Sequence, residues 1–483
     1  MRLIFLVLIV FVFFLTLMFR QSFENVTSVS SSPTSAILLP VSSTFSALFR
    51  KNATEIHIDE VATDENVPLE QCKIEPWNNV TTNNITMYKL HQQWRDIGVG
   101  RMPNLEEAEL RVVSAFVYKD EVVVTTANEN RFGYKVYCRY FDCNRVEIPN
   151  SLFETHMFPM TAAYCARRAG AEFIGLTESR EAEAVDPVVV TFRAYDEPVH
   201  EVSVCVGPIY GKESRWLEIV ETTEHHILIG IRHFYYTIFN EMDAYTRKLL
   251  DEYQRLGTAE VSVIQSEYKV MDWMFHMMQI TDCFFRARHH SKWILNTDID
   301  ERLVMIEMPL RSLLRTVDPD VGEISFAANK VQRNHALPNK YSGVGHLVKQ
   351  LLFLNYQNTS ETMFIGMKGI VRPDKTEVLF YHWAWRQHPG VRVKMASMKT
   401  GYIRHYRTTL PGLIQRWTRH GLHFRQTRLG TKFERKLLDA IVRRVRRVYD
   451  QRPIWCEEIP SHLFTVFSKD NYHCQWKNGT SYS

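Results

Sequence analysis

Neither sign of charge dominates this sequence. Its 58 Lys and Arg stand against 54 Asp and Glu, a formal net charge of +4, too even a balance for a chain whose main partner is nucleic acid. No two cysteines have the C-x-x-C spacing of a zinc knuckle or a thioredoxin-like redox site. No repeat of fixed period is visible. A small-x-small cleavage pattern is also missing, since the apolar N-terminal run ends Leu-Thr-Leu-Met-Phe-Arg.

That run is the first positive signal. Leu3–Phe19 is an uncharged, almost wholly apolar stretch of 17 residues bracketed by Arg2 and Arg20, at the short end of what crosses a bilayer as a helix. Without a cleavage site it is expected to act as an uncleaved signal anchor over residues 1–20. The protein would then be a single-pass type II membrane protein with its bulk on the luminal side of the secretory pathway. Sequons at Asn25, Asn52, Asn79, Asn84, Asn358 and Asn478, four of them before residue 90, agree with a luminal home. So do eight cysteines, which fit an oxidising compartment and predict disulfides. Closeness in sequence suggests Cys138 with Cys143 and Cys456 with Cys474.

At 483 residues, 45% hydrophobic and 12% aromatic, the chain exceeds what one compact domain needs. Residues 21–109 open with Ser, Thr and Asn-rich sequence lacking helical or strand period, and are expected to be a stem. Residues 110–200 carry short β-branched and aromatic runs such as Glu121-Val-Val-Val-Thr-Thr and are expected to form a small β-rich domain. From 201 to 430 strand and helix patterns alternate. Val202–Val206 reads as a strand running into a Gly/Pro turn, and Trp216 onward as a helix ending near Gly230. Strands are then expected at His233–Ile238 and Ala259–Ile264, with helices over Met242–Leu256 and Lys269–Arg286. This predicts an α/β sheet whose ligand site lies beyond the carboxyl ends of its strands. Residues 431–483 hold a basic amphipathic helix, Lys432–Tyr449, expected to pack its apolar side, and a tail.

At such a position Lys292-Trp-Ile-Leu-Asn-Thr delivers Asp298-Ile-Asp300-Glu301. An apolar strand ending in two carboxylates, on one face if the strand continues, suits a hard divalent cation, Mn²⁺ or Mg²⁺, with positions left for a substrate diphosphate. Asp318-Pro-Asp320 has no apolar strand before it and reads as a turn. A phosphatase of the haloacid dehalogenase type uses a similar acidic pair but continues Gly-Thr, where this chain has Glu301-Arg302. A solvated acidic turn is the plainest alternative.

Taken together, Trp216-Leu-Glu-Ile-Val-Glu followed by His225-His226, the Asp282-Cys283 pair, the block around Asp298, Lys368-Gly-Ile-Val-Arg-Pro373 and His405-Tyr-Arg407 resemble glycosyltransferase family 92 over about residues 200–420. The resemblance implies a GT-A type nucleotide-sugar transferase fold and a UDP-sugar donor, most often UDP-galactose. It also implies a Mn²⁺ requirement, inversion at the transferred carbon and a glycan acceptor, in a Golgi-type membrane enzyme. Asn296-Thr297 departs from the more apolar strand end expected there.

On that resemblance, Asp298 faces the donor ribose or reaches the metal through water, Asp300 ligates the metal directly, and Glu301 braces the strand. His382 or His405 is the candidate third ligand. Lys368 and Arg372 are candidates for donor phosphate oxygens, Glu361 and Asp374 for the catalytic base, and Tyr381, Trp383 and Trp385 for sugar stacking. A non-catalytic luminal glycan-binding protein of the same fold is the reading from another class. Oligomeric state is not legible in the sequence.

Overall fold

A computed structural model of the chain describes residues 72–85, 110–127, 133–158, 161–209, 211–264, 273–407, 423–450 and 456–458, all within the unit Leu69–Ser483. The expected anchor, most of the expected stem, Asn25, Asn52, Asn478 and Cys474 lie outside the described residues. Among the described residues no helix is long and apolar enough to cross a membrane.

The β-branched runs between 112 and 192 form seven strands: β1 (Val112–Val117), β2 (Glu121–Thr126), β3 (Lys135–Phe141), β4 (Phe153–His156), β5 (Ala162–Ala166), β6 (Phe173–Thr177) and β7 (Val188–Phe192). They pair in the order β4-β3-β6-β7-β1-β2-β5. A Met157–Ala163 bridge brings β4 back to β5, so the sheet curls round a core of its own. Alternation sorts the side chains. Ala115, Val117, Val122, Val124, Ala163 and Cys165 join that inner core, while Phe116, Tyr118, Val123, Ala162 and Tyr164 of the same strands join a second one outside. Both faces are covered, which is why Val122, Val123 and Val124 of β2 are apolar without alternation.

The disulfides correct one pairing read from the sequence. Cys138 is bonded to Cys165, and Cys143 to Cys72. Cys138 lies in β3, which runs extended to Phe141. At about 3.3 Å per residue the strand carries Cys143 beyond the 4.4–6.8 Å Cα separation typical of a disulfide. Cys456 is also disulfide-bonded.

The alternating region builds a nine-stranded mixed sheet. Its first strands are β8 (His200–Ile209), β9 (His233–Phe239), β10 (Ala259–Ile264) and β11 (Ser291–Asp298). They are parallel in the order β10-β9-β8-β11. Between them come α1 (Trp216–Leu228), α2 (Ala244–Arg255), N-capped by the Asp243 side chain, and α3 (Trp273–Ala287). Gly207-Pro208 lies inside β8 rather than ending it. The strand absorbs the pair as an irregularity in its pairing with β9 between Val206 and Ile209, the usual accommodation of a residue without an N–H.

The remaining strands are β12 (Glu301–Met305), β13 (Val321–Lys330), β15 (Met363–Val371), β18 (Arg392–Met395) and β19 (Gly401–His405). The short pairs β14 (Asn358–Ser360) with β20 (Phe424–Gln426), and β16 (Thr376–Leu379) with β17 (Ala384–Gln387), stand apart. Helices α4 (Leu310–Arg315), α5 (Val344–Gln350) and α6 (Leu352–Asn355) connect them, and α7 (Thr431–Tyr449) closes the described chain apart from the short turn at Cys456.

Helix α3 lies between the two sheets, sharing a core with the outer face of the first. Its Asp282-Cys283 pair ties it to both. Cys283 is bonded to Cys205 of β8. The buried Asp282 accepts hydrogen bonds from Thr125 of β2 (2.8 Å), Ser262 of β10 (3.0 Å) and Arg286 (2.9 Å). On the other side of the large sheet, α7 buries Leu437, Ile441 and Val445 against α1 and α2. Its Arg444 pairs with Glu224, and its Arg447 with Glu252. The basic helix therefore packs its apolar face, as its pattern predicts.

Candidate active site

In the order β10-β9-β8-β11 the chain leaves β8 toward β9, and β11 returns on β8's other side. The carboxyl ends of β8 and β11 therefore stand at the kind of switch in strand order beyond which α/β sheets bind ligands. Asp298 is the last residue of β11 and pairs with Gly207. Ile299-Asp300 is a turn, so the two carboxylates are brought together by that turn and not by strand alternation. The turn is pinned from several sides. Ile299 O accepts from Thr222 Oγ1 (2.7 Å) and Arg302 Nη1 (2.6 Å), and Tyr406 N–H donates to Asp300 O (2.8 Å). Both Arg302 and Arg404 stack on the buried Tyr406 ring.

The His225-His226 pair of α1 performs a similar office for β12. His226 Nδ1 hydrogen-bonds Thr222 O (2.9 Å) and its Nε2 meets the Leu303 N–H (3.3 Å), while His225 Nε2 bonds Leu303 O (2.8 Å). Both backbone groups of one β12 residue are thus held by one helix.

Around the acidic pair the structure gathers Glu301, Lys368, His276 and His405. Glu301 is buried; its Oε2 accepts the Asp298 N–H (2.9 Å), and its Oε1 stands 3.3 Å from His405 Nδ1. The other ring nitrogen, His405 Nε2, is 3.4 Å from Asp300 Oδ2. Lys368, on β15, is fully buried and reaches Asp298 Oδ1 (3.0 Å), Glu301 Oε2 (3.2 Å) and Tyr381 O (3.0 Å). His276 Nε2 approaches Asp298 Oδ1 at 3.5 Å.

The electrostatics follow. Burial works against the charged form of Asp298, but the Lys368 ammonium outweighs it and holds the carboxyl well below the usual range. For Asp300 burial is likewise overcome, by His405. Glu301 goes the other way, pushed up by burial and by Asp298. Burial would lower Lys368, yet Asp298 and Glu301 push it up to about 12. His405 is raised against its own burial by Asp300 and Glu301. The result is an ionised acidic pair with a cation on one flank and an imidazole on the other.

Not every residue expected at the site is there. Strand β15 runs antiparallel to β11, pairing Val371 with Ile294, so Lys368 falls near Asp298 and Arg372 at the opposite end of the strand. The four positions from Ile294 to Asp298 correspond to about 13 Å. Arg372 there stacks on Trp293 and pairs with Asp374 (3.0 Å). Neither is brought to the acidic pair. His382 bonds Met367 O through Nδ1 (3.0 Å), and burial lowers its pKa to about 3; it belongs to the Lys368 flank. Tyr381, Trp383 and Trp385 cluster round Phe380, with Trp385 40% exposed. Asp318 and Asp320 lie in a turn and pair with Arg392.

Glu361 is exposed and follows Ser360, whose Oγ accepts the Lys330 N–H (2.9 Å). Lys330 is the register partner of His405, so Glu361 stands at the same end of the sheet as the acidic pair. A polar cleft of about 740 Å³ is lined by Gln332, Asn334, His335, Tyr356, Gln357 and Asn358. It begins one residue past Val331, whose N–H bonds His405 O (2.7 Å).

His276 had no signal in the sequence: it lies in a helix with no chemical motif, and only the packing of α3 brings it to β11. Asn296, by contrast, gains a role. Its amide donates to Phe380 O (3.0 Å) and Tyr381 O (3.1 Å), so the polar strand end holds down the loop that Lys368 also grips.

Residues 200–445, just over half of the chain, match the family model described as Glycosyltransferase family 92. Comparison with curated protein sequences gives no match. Among solved structures, the crystal structure of HddC from Yersinia pseudotuberculosis aligns over 49% of this chain and 97% of its own at 8% identity, with a TM-score of 0.22. That likeness is too loose to bear on fold or function.

Proposed function

Because the chain belongs to glycosyltransferase family 92, we propose that it transfers galactose from UDP-galactose to a glycan acceptor, with inversion, in a GT-A type site that uses Mn²⁺ (or Mg²⁺). The coarser part of this reading, a glycosyltransferase acting on a nucleotide sugar and a glycan, comes with membership. The finer part rests on the site. One observation carries it: Asp300 and His405 Nε2 converge, with Glu301 behind His405 Nδ1.

A carboxylate behind an imidazole is the outer-shell arrangement that fixes a metal-binding histidine's tautomer and aims its free lone pair. Glu301 Oε1 is buried and makes no hydrogen bond, and a His405 ring turned to a cation would satisfy it with a well-directed Nδ1–H. The donor set, carboxylate oxygen with one imidazole, suits a hard or borderline divalent ion. Asp300 and His405 would hold it, and Asp298 would lie toward the nucleotide ribose. A cation bound there would neutralise charge developing on the departing diphosphate. Lys368 keeps Asp298 ionised and oriented. Glu361, exposed at the same end of the sheet, would take the proton from the attacking hydroxyl, and the amide side chains of the polar cleft suit the hydroxyls of an acceptor glycan. Residues 1–20 would anchor the enzyme in a Golgi or other secretory-pathway membrane with its head in the lumen.

The test is Asp300→Ala against Asp318→Ala. Each 1.36 kcal/mol of lost transition-state stabilisation is about tenfold in rate, and a metal ligand supplies several. Asp300→Ala is therefore expected to cut metal-dependent transfer by on the order of a thousandfold or more, while Asp318→Ala, in the paired turn, leaves it unchanged. Retained transfer in a folded Asp300→Ala protein would overturn the reading. A panel of nucleotide sugars, scored by metal-dependent hydrolysis, tests the donor.

A further inference from the structure

At the opposite, amino-terminal edge of the same parallel strands lies a second cluster of metal-ligating side chains, which the transfer reaction does not use. His200 opens β8, His233 opens β9, and His290 immediately precedes β11. The register explains the meeting: Ser291 pairs with His200, and Ser203 with His233. One ring nitrogen from each of the three histidines lies within 4.8 Å of one from each of the others. The cluster sits seven residues of extended β11 away from Asp298, about 23 Å.

Three features distinguish it from an ordinary packed histidine group. His233 is 5% exposed; its Nδ1 makes no hydrogen bond, a costly state for a buried polar group that lacks a ligand, and its Nε2 faces a carboxylate oxygen of Glu260 at 3.3 Å. Glu260, one residue into β10, turns a single oxygen toward the histidines: Oε1 is 3.3 Å from His233 Nε2 and 3.5 Å from His290 Nδ1. Its other oxygen, Oε2, is held by Arg193 at 2.5 Å and faces Arg286 at 4.0 Å. Finally, His290 Nδ1 is hydrogen-bonded to the buried Tyr235 hydroxyl (2.8 Å), which also bonds Ser291 Oγ (2.8 Å). That hydroxyl holds the His290 ring in place beside the other two histidines.

We propose that His200, His233 and His290, with Glu260 Oε1 as fourth donor, form a structural site for a borderline transition-metal ion of the Zn²⁺ type, separate from the acidic pair. The donor chemistry makes the distinction. Three imidazoles and one carboxylate match four-coordinate zinc, whereas carboxylate-rich sets favour Mn²⁺ and Mg²⁺. Arg193 and Arg286 offset the carboxylate without entering the donor set, and Arg193 disfavours a protonated ring beside it. Such an ion would tie the starts of β8, β9 and β10 to the residue before β11. Arg193 and Tyr195, the latter stacked on His290, follow β7 and would join the first sheet to the same point.

The experiment uses full-length protein, stripped with a chelator, reloaded with Zn²⁺ and freed of excess by gel filtration. Metal content is then measured by mass spectrometry. An Asp298→Asn/Asp300→Asn double variant silences the acidic pair. Wild type and this double variant are expected to retain one equivalent of zinc, and His233→Gln at least tenfold less. Co²⁺ in place of zinc is expected to give the visible absorption of a four-coordinate nitrogen and oxygen site, and Zn²⁺ to raise the melting temperature of wild type but not of His233→Gln. Should His233→Gln not fold, His200→Gln, at the half-exposed position, decides in its place. Zinc content in the histidine variant equal to wild type, or zinc lost with the acidic pair alone, would overturn the proposal. So would a wild-type protein that retains none.

Discussion

The carboxylate of Glu301 stands 3.3 Å from His405 Nδ1 and, through its other oxygen, 2.9 Å from the Asp298 backbone nitrogen. One side chain thus sets both the imidazole on the Asp300 side and the end of the strand on the Asp298 side. Glu301→Gln keeps the shape and an oxygen for the Asp298 N–H but turns an amide NH₂, a donor, toward His405 Nδ1 in place of an acceptor. Loss of such an outer partner costs about 10–100-fold in metal affinity. Titrating Mn²⁺ into the hydrolysis assay is expected to show that shift with little change in melting temperature, and an unaltered Mn²⁺ dependence would remove Glu301 from the metal's surroundings.

Asn296 offers a separable test, because its two hydrogen bonds go to the loop above the site rather than to the acidic pair. In Asn296→Ala, Tyr381 O keeps its bond from Lys368, leaving Phe380 O as the group that loses most. A destabilisation of about 1–2 kcal/mol is expected, together with a fall in transfer well beyond what that loss of folded protein explains. Calorimetry paired with initial rates checks it; stability reduced with rates intact would make Asn296 merely structural.

Much of this arrangement is legible in the sequence. The β-branched runs between 110 and 200 announce a β-rich unit, and the helix and strand periods between 202 and 298 place β8 to β11 in order. The acidic pair at a strand end follows from that order. What sequence could not supply were partners set by register and packing. Lys368 and Arg372 look like one basic motif, but antiparallel pairing sends them to opposite ends of β11. His276 acquires its meaning only from Asp298, and much of Glu301's from His405 and Lys368, all far away in sequence. The same holds for Cys138, whose partner across the curled sheet is Cys165 and not the nearer Cys143.

A fully buried carboxyl gives a pH signature. Burial pushes Glu221 of α1 up to about 7, against the opposing pull of Arg302 and the hydrogen bond it accepts from Leu352 N–H (2.5 Å). The folded protein therefore holds a proton there that the unfolded chain gives up near pH 4.5. Stability from this group is present below that pH and is lost as pH rises toward 7, by on the order of 3 kcal/mol. Glu221→Gln cannot ionise, so its stability relative to wild type should rise between pH 5 and pH 8 in denaturant titrations. A pH-independent difference between the two proteins would show that Glu221 titrates normally.

The Cys205–Cys283 bond closes a loop of 78 residues between β8 and α3. Chain entropy gives such a closure about 4.5 kcal/mol. A Cys205→Ala/Cys283→Ala protein is expected to lose roughly that much in chemical denaturation, less whatever the denatured chain already retains. If it melts like wild type, then packing of α3 alone secures the join.

The reversal of β15 has a further consequence, for how tolerance to substitution is distributed. Residues 368–373 form one short stretch of chain, so any comparison by sequence treats them as a unit. Physically they answer to two different demands. Lys368 is a buried charge among carboxylates, while Arg372 is a planar cation lying on Trp293 at the far end of the sheet. A saturation scan across these six positions should therefore separate into two populations: folded chains without activity at one end, and poorly folded chains with a normal specific activity at the other. The boundary between them would fall within a single strand.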